Sequence, residues 1–257
     1  MTAPITSTFA KESSHWYAPD GTPAYTIIGA NGNERATTLR DARKLGLLPS
    51  VTGIIRMAAA PQLEKWKRNQ VLLSALTLPR MPDEPEAEWL KRVERDWQEQ
   101  GRAAADRGTA IHAAVEKHYR GETPDLDLWE WVKAARDTIT AATDPVEVWH
   151  AERSFATPIG YGGKVDLHNL GWVVDVKGKE GDPTESAPAL FDEHLMQLAA
   201  YRVGLGVADA RAGILFIGRD VPKARFVEAS ADDLRKGWGM FKALLDYWCA
   251  KNGYFPR

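Results

Sequence analysis

The segment Trp172-Val-Val-Asp-Val-Lys177 constrains the fold more than any other stretch of the chain. Its valines and tryptophan favour a strand, and side chains on a strand alternate between two faces. Asp175 and Lys177 therefore share one face, and Val174 and Val176 the other. A strand this apolar is not casually exposed, so its charged residues need partners inside the fold. The preceding segment, Gly162–His168, also reads as a strand, with Val165 and Leu167 pointing one way and Asp166 the other. Asn169-Leu170-Gly171 between the two has turn chemistry. A hairpin register that sets residue 166 opposite residue 175 brings two carboxylates and an ammonium to one spot. A slip of one residue sends them to opposite faces.

Two carboxylates at close range repel unless neutralised, and a hard divalent cation with oxygen ligands does this well. A lysine beside such a site can orient or deprotonate an attacking water, or neutralise charge on a phosphate. The other reading of the same residues is an ordinary surface hairpin with a cross-strand ion pair. Asp175-Val-Lys177 is the only acidic-x-Lys triplet in the chain.

Two helical segments carry further polar residues. His112 and Glu116 are spaced i, i+4 and share a helix face, with Gly108 near the helix start permitting a close approach. Gln197 and Tyr201 have the same spacing, with His194 beside them. Each set reads either as a site component or as ordinary polar surface on an amphipathic helix.

Periodicity places these motifs. Tyr25–Ile28 and Ala36–Leu39 read as a small hairpin around the turn Gly29–Asn33, followed by a short helix ending at Gly46. Pro49–Thr52 is an extended lead into a helix through Ile54, Ile55 and Met57, and Pro61 opens another. Helices follow over about Glu86–Gln100, Ala104–Tyr119 and Trp129–Ala142. Strands are expected over Val146–Ala156, Gly162–His168 and Trp172–Lys177, then a helix over about Pro188–Gly204. Strands over Ala212–Ile217 and Lys223–Glu228 and a helix over Ala231–Ala250 close the chain. This order predicts an α/β (α+β) layer architecture with a helical N-terminal part packed on it. No convincing linker interrupts the 257 residues, so a single domain is expected.

Composition removes several classes. At 44% hydrophobic and 26% charged, the chain has the balance of a globular protein. One cysteine, Cys249, excludes an intrachain disulfide framework, a cysteine-rich zinc site and a cysteine-held iron–sulfur cluster. Met1–Ser14 lacks a basic region followed by an apolar one, and no apolar run reaches the roughly 18–20 residues of a membrane span. The expectation is a cytoplasmic protein without a secretion signal. The net charge of −2 argues against a generally basic nucleic-acid coat protein but allows a local basic groove. Arg35–Arg68 supplies one, with eight basic residues against two acidic ones, a local +6. Arg56, Lys65, Lys67 and Arg68 are its candidate DNA contacts. The same charges also fit a solvated helix face. Most of the 10 tryptophans, Trp66, Trp89 and Trp97 among them, lie at apolar helix spacing and are expected in the core.

Taken in order, Gly108-x-x-x-His112, Gly163-Lys-Val-Asp166, Asp175-Val-Lys177 and Gln197-x-x-x-Tyr201 match a known succession of motifs. Over about residues 105–205 the chain resembles the RecB-like branch of the PD-(D/E)XK nucleases. Pro49-Ser-Val-Thr52 and Leu63-x-x-Trp66 extend a similarity to mitochondrial genome maintenance exonucleases and their phage and bacterial relatives. The resemblance implies a restriction-endonuclease-like core, with a central mixed sheet flanked by helices, over 101–257. A hairpin and helical part would occupy 1–100. It implies a metal-dependent DNA exonuclease using Mg²⁺ or Mn²⁺ on DNA ends or single strands, in recombination, repair or phage DNA metabolism. His112, Asp166, Asp175 and the Val176 carbonyl would bind the metal, and Lys177 would serve the water. Gln197 and Tyr201 would support the site and the DNA backbone. Glu116 and Glu152 are further acidic candidates. A bacterial or phage-infected cell is the implied setting, with a recombinase or a single-strand annealing or binding protein as partner and no membrane.

The chain departs from relatives that carry four cysteines around an iron–sulfur cluster, and it contains no Gly-x-x-x-x-Gly-Lys-(Ser/Thr) motif. The rival readings are a structure- or sequence-specific endonuclease on the same fold and a non-catalytic DNA-binding recombination protein.

Overall fold

A computed structural model of the protein describes residues 15–143 and 148–256. The N-terminal part is built from short pieces. Strand β1 (Trp16–Tyr17), the hairpin arms β2 (Thr26–Ile28) and β3 (Glu34–Ala36), helix α1 (Leu39–Leu45), strand β4 (Leu48–Pro49) and helix α2 (Val51–Ile55) follow in turn. Thr38 and Asp41 cap α1 reciprocally, so Thr37–Leu39 of the expected second arm lead into the helix and the arm lies earlier, at Glu34–Ala36; Gly46 ends the helix in the left-handed conformation (φ 67°). Helix α3 (Pro61–Thr77) opens on Pro61. Helix α4 (Glu86–Tyr119) and helix α5 (Trp129–Ala142) complete the helical part.

The central sheet follows. It comprises β5 (His150–Thr157), β6 (Tyr161–His168), β7 (Trp172–Lys179), then helix α6 (Asp192–Gly204), β8 (Arg211–Gly218), β9 (Ala224–Ala229) and helix α7 (Ala231–Asn252). Strand order is β5-β6-β7-β8-β9. Only β7 and β8 run parallel, joined by the α6 crossover, so the sheet is mixed, as expected. Residues 146 and 147 of the expected first strand, and the Met1–Ser14 segment, lie outside the described residues.

Two apolar cores cover the two sheet faces. One joins Val173, Ile214 and Phe216 to α2, α6 and α7. The other joins Val174, Val176, Leu215 and Ile217 to α4 and α5. The sheet is therefore a middle layer between helices. No helix among the described residues is long and apolar enough to cross a membrane.

Three expectations are corrected. Residues 86–119 form one helix, about 50 Å long at 1.5 Å per residue, instead of two. Gly101 inside it costs about 1 kcal/mol against alanine, too little to break a helix held by α3 and α5. Gly108 consequently lies deep in α4, not near a helix start. Trp66 is 37% exposed on α3 instead of buried, and Trp89 and Trp97 on α4 are only half-buried and outside both cores. Finally, Val165 and Leu167 do not share a face. Val165 joins the α6–α7 core and Leu167 the α4–α5 core, so strict alternation breaks at Asp166.

Candidate metal and catalytic site

The break at Asp166 has a counterpart on β5. Its register with β6 runs His150↔His168, Ala151↔Leu167, then Arg153↔Val165, which sets Glu152 opposite Asp166 with that pair missing from the ladder. Glu152 has φ 55°, the only positive φ of a non-glycine among the described residues. Such a backbone costs about 1–3 kcal/mol and persists where surrounding structure enforces it. On the other side, β6 pairs with β7 as Leu167↔Val174 and His168↔Val173. Continuing that register puts Asp166 opposite Asp175. Past this point the Asp166 side chain, not its backbone, takes the next β7 donor: the Val176 N–H donates to Asp166 Oδ2 at 2.7 Å. Glu152, Asp166 and Asp175 thus form a row across three adjacent strands.

Each acid in the row has its own cationic partner. The Lys164 ammonium pairs with Glu152 Oε2. His112 on α4 places Nε2 3.1 Å from Asp166 Oδ2. Lys177 places Nζ 2.8 Å from Asp175 Oδ2. The partners come from both faces of the sheet, His112 from the α4 side and the Asp175 supports from the α6 side. The row sits where the β6–β7 ladder ends and the β5–β6 ladder skips one pair.

Electrostatics differ along the row. The nearby Asp166 charge, against an opposing burial penalty, pushes the His112 imidazolium up to about 9. Burial works against the Asp166 carboxylate, yet His112, Lys177 and the Val176 N–H together hold the group below the ordinary carboxylate range. Burial raises Asp175, more than Lys177 offsets, and the Asp166 charge adds to the rise. Burial likewise raises Glu152 despite Lys164. Neighbouring carboxylates that titrate apart are a common feature of active sites.

Helix α6 braces the Asp175 end. Gln197 Nε2 donates to Asp175 Oδ1 at 2.8 Å and to the Tyr201 hydroxyl at 2.9 Å. Both side chains are buried, so what they support is Asp175. Burial raises the Tyr201 phenol far above its usual value. Gly163 makes room for this brace, because a Cβ there would lie 2.8 Å from the Phe155 ring and 3.0 Å from the Tyr201 ring.

His112, Glu152 and Asp166 each offer a ligand atom, all within 4.8 Å of one another. One imidazole and two carboxylates, with the imidazole nitrogen and an Asp166 oxygen already facing each other, fit a hard divalent cation. The sequence named Glu152 only as a further candidate, and the structure draws it into this cluster while Asp175 stands beside it. Val176 contributes its N–H to Asp166, and its side chain belongs to the α4–α5 core. Glu116 is turned to Arg120, with Nη2 2.5 Å from Oε1.

Sequence reasoning missed Lys164. Its signal was present: Lys164-Val-Asp166 on β6 is the reverse of Asp175-Val-Lys177 on β7, so an antiparallel pairing sets the two lysines on equivalent sides of the two aspartates.

A cleft of about 330 Å³ lies between α3, α4 and the ends of β7 and β8, walled by Trp66, Gln70, Gln100, Arg107 and Arg219. Arg219 lies against Gly178, which follows Lys177, and against Gly108, one turn before His112. The cleft therefore adjoins the row without containing it. Arg56, Lys65, Lys67 and Arg68 are not among its walls. Lys67 pairs with Glu64 at 2.8 Å, and Arg35 pairs with Asp41, which reduces the free charge of the basic stretch.

No protein-family profile and no curated protein matches the chain. Among solved structures, the chain is similar to a candidate exonuclease from Eubacterium rectale, with 11% identity over 57% of this chain and 68% of that one and a TM-score of 0.40. It is also similar to the protein SSO0001, with 16% identity over 47% of this chain and 55% of that one and a TM-score of 0.25.

Proposed function

We propose that the chain is a metal-dependent deoxyribonuclease, an exonuclease acting on DNA ends or single strands. The observation that carries this reading is the row Glu152–Asp166–Asp175, with His112 on one side and Lys177 on the other. His112, Glu152 and Asp166 would hold Mg²⁺ or Mn²⁺, which when bound supplies charge neutralisation at a scissile phosphate. Lys177 is half-exposed while its ammonium rests on buried Asp175. It stands at the border between protein and solvent, where it can orient a water for in-line attack or hold a phosphate oxygen. Asp175, fixed by Gln197, holds that ammonium in place. The motif resemblance supports DNA as substrate and recombination or repair as the setting.

Digestion of end-labelled linear DNA with and without Mn²⁺, beside a closed single-stranded circle, tests the reading. Cation-dependent loss of the linear substrate with an intact circle is the expected result. Cleavage of the circle would make the protein an endonuclease, and binding without any product would make it a non-catalytic DNA-binding protein.

A further inference from the structure

We propose that Lys164 is the resident counter-cation of Glu152, which a divalent ion displaces on binding, so that Lys164 sets the cation affinity of the site. The inference rests on the metal reading above.

The Glu152 side chain is only 2% exposed, and a carboxylate so placed needs a positive partner. Lys164 is the partner in the structure, its ammonium on Oε2. Glu152 is also one of the three side chains whose ligand atoms converge. These two uses compete, because an ammonium against Glu152 repels a divalent ion drawn to the same carboxylate. Lys164 can leave. Its side chain is 39% exposed, and a flexible four-carbon stem lets the ammonium withdraw to solvent while the stem stays packed. Glu116, although paired with Arg120, also acts on Lys164 electrostatically from outside the cluster.

Lys177 is the contrasting case. It holds Asp175, which is not in the converging set, so a bound ion does not compete for its partner. The mirrored lysines of β6 and β7 thus have different tasks: Lys177 stays with its carboxylate, and Lys164 yields its own. Lys164 is in this sense a positioning residue that acts through Glu152.

Calorimetric titration of Mn²⁺ into the cation-stripped full chain, at one fixed pH, tests this on the wild type, Lys164→Met, Lys164→Arg and Lys164→Met combined with Glu152→Gln. Lys164→Met is expected to bind Mn²⁺ about tenfold or more tightly, the scale of removing one competing charge. Lys164→Arg should stay near the wild type, and Glu152→Gln should cancel the gain. Without cation, Lys164→Met should melt lower than the wild type and recover more on Mn²⁺ addition. Lys164→Gln replaces Lys164→Met if the latter is not recovered folded. Equal or weaker Mn²⁺ binding by a folded Lys164→Met chain, beside a wild type that binds, overturns this inference alone. Absence of binding by both overturns the metal reading together with it.

Discussion

Asp166 lies opposite Asp175 across the β6–β7 register, and Asp166 accepts the N–H of Val176, the residue next to its neighbour, at 2.7 Å. A backbone donor on one carboxylate and a glutamine amide on the other let two acids coexist in a buried position where repulsion would otherwise protonate one. Lys177 and His112 supply the remaining countercharge from opposite faces of the sheet.

This division of labour separates cation binding from turnover. Lys177→Met should lower the rate of DNA cleavage by about 10²-fold or more, as expected when a group that orients a nucleophile or stabilises charge is lost. Mn²⁺ affinity should remain near the wild-type value, because Lys177 is outside the converging set. Asp166→Asn should lose both. Parallel calorimetry and single-turnover cleavage would check the pattern, and a Lys177→Met chain with full activity would remove the lysine from the mechanism.

The His112 imidazole gives the site a pH signature. Its value is raised from about 6.5 to about 9 in the cation-free protein. A base raised on folding adds stability that is fully present below about 6.5 and fades as pH climbs through about 9. Cation ligation needs the neutral imidazole, so Mn²⁺ affinity should increase with pH up to about 9, with a proton released on binding below it. Proton NMR of the histidine ring signals and calorimetry in two buffers of different ionisation heat would measure both effects. A His112 titrating at 6.5, with no proton released at neutral pH, would contradict the His112–Asp166 pairing.

Gln197 offers a probe of Asp175 that leaves the acids untouched. Gln197→Glu replaces the donor facing Asp175 Oδ1 with an acceptor, and should destabilise the chain by about 1–3 kcal/mol through the unmet buried carboxylate. Tyr201→Phe removes only the acceptor of the second amide hydrogen and should cost about 1 kcal/mol. Urea unfolding of the two variants ranks them, and equal losses would show that the Gln197–Asp175 contact carries no special weight.

How much of this was written in the sequence depends on the range of the interaction. The β6–β7 hairpin was legible because Asn169 and Gly171 mark the turn and the valines mark the faces. The mixed sheet and the closing helix α7 followed from the same periodicities. The reversal of faces at Asp166 was not legible, since it depends on a left-handed Glu152 on a neighbouring strand. Nor was the promotion of Glu152, whose β5 register is fixed by a hairpin turn at Thr157–Gly160 outside any motif. Trp66 followed apolar spacing on α3, yet a helix packed mainly on one neighbour, α4, buries only part of its apolar surface, and the indole ends on the cleft wall. Gly101 looked like a boundary between helices because its local cost was visible and the tertiary support of α4 was not.

That support leads to a stability prediction. A Cβ at Gly101 meets nothing within 4 Å, so Gly101→Ala should stabilise the chain by about 0.5–1 kcal/mol through reduced freedom of the unfolded state. Chemical denaturation with an unchanged slope would show it. A loss of stability would mean that residues 86–119 bend or break at Gly101, as the sequence alone suggested.

The strained glutamate allows a sharper test, because it inverts an ordinary preference. In a regular strand, glycine is worse than alanine by about 0.5–1 kcal/mol. At position 152, φ is 55°, where alanine is strained and glycine is not. Both Glu152→Gly and Glu152→Ala remove the buried carboxylate and leave Lys164 the same freedom to turn to solvent, so their difference isolates the backbone. Glu152→Gly should be the more stable of the two by about 1 kcal/mol, and both should lose Mn²⁺ binding. Urea denaturation of the pair in cation-free buffer reads the difference directly. An alanine variant at least as stable as the glycine variant would mean that the left-handed turn at Glu152 is held by the carboxylate itself, through Lys164, and relaxes when the carboxylate is gone.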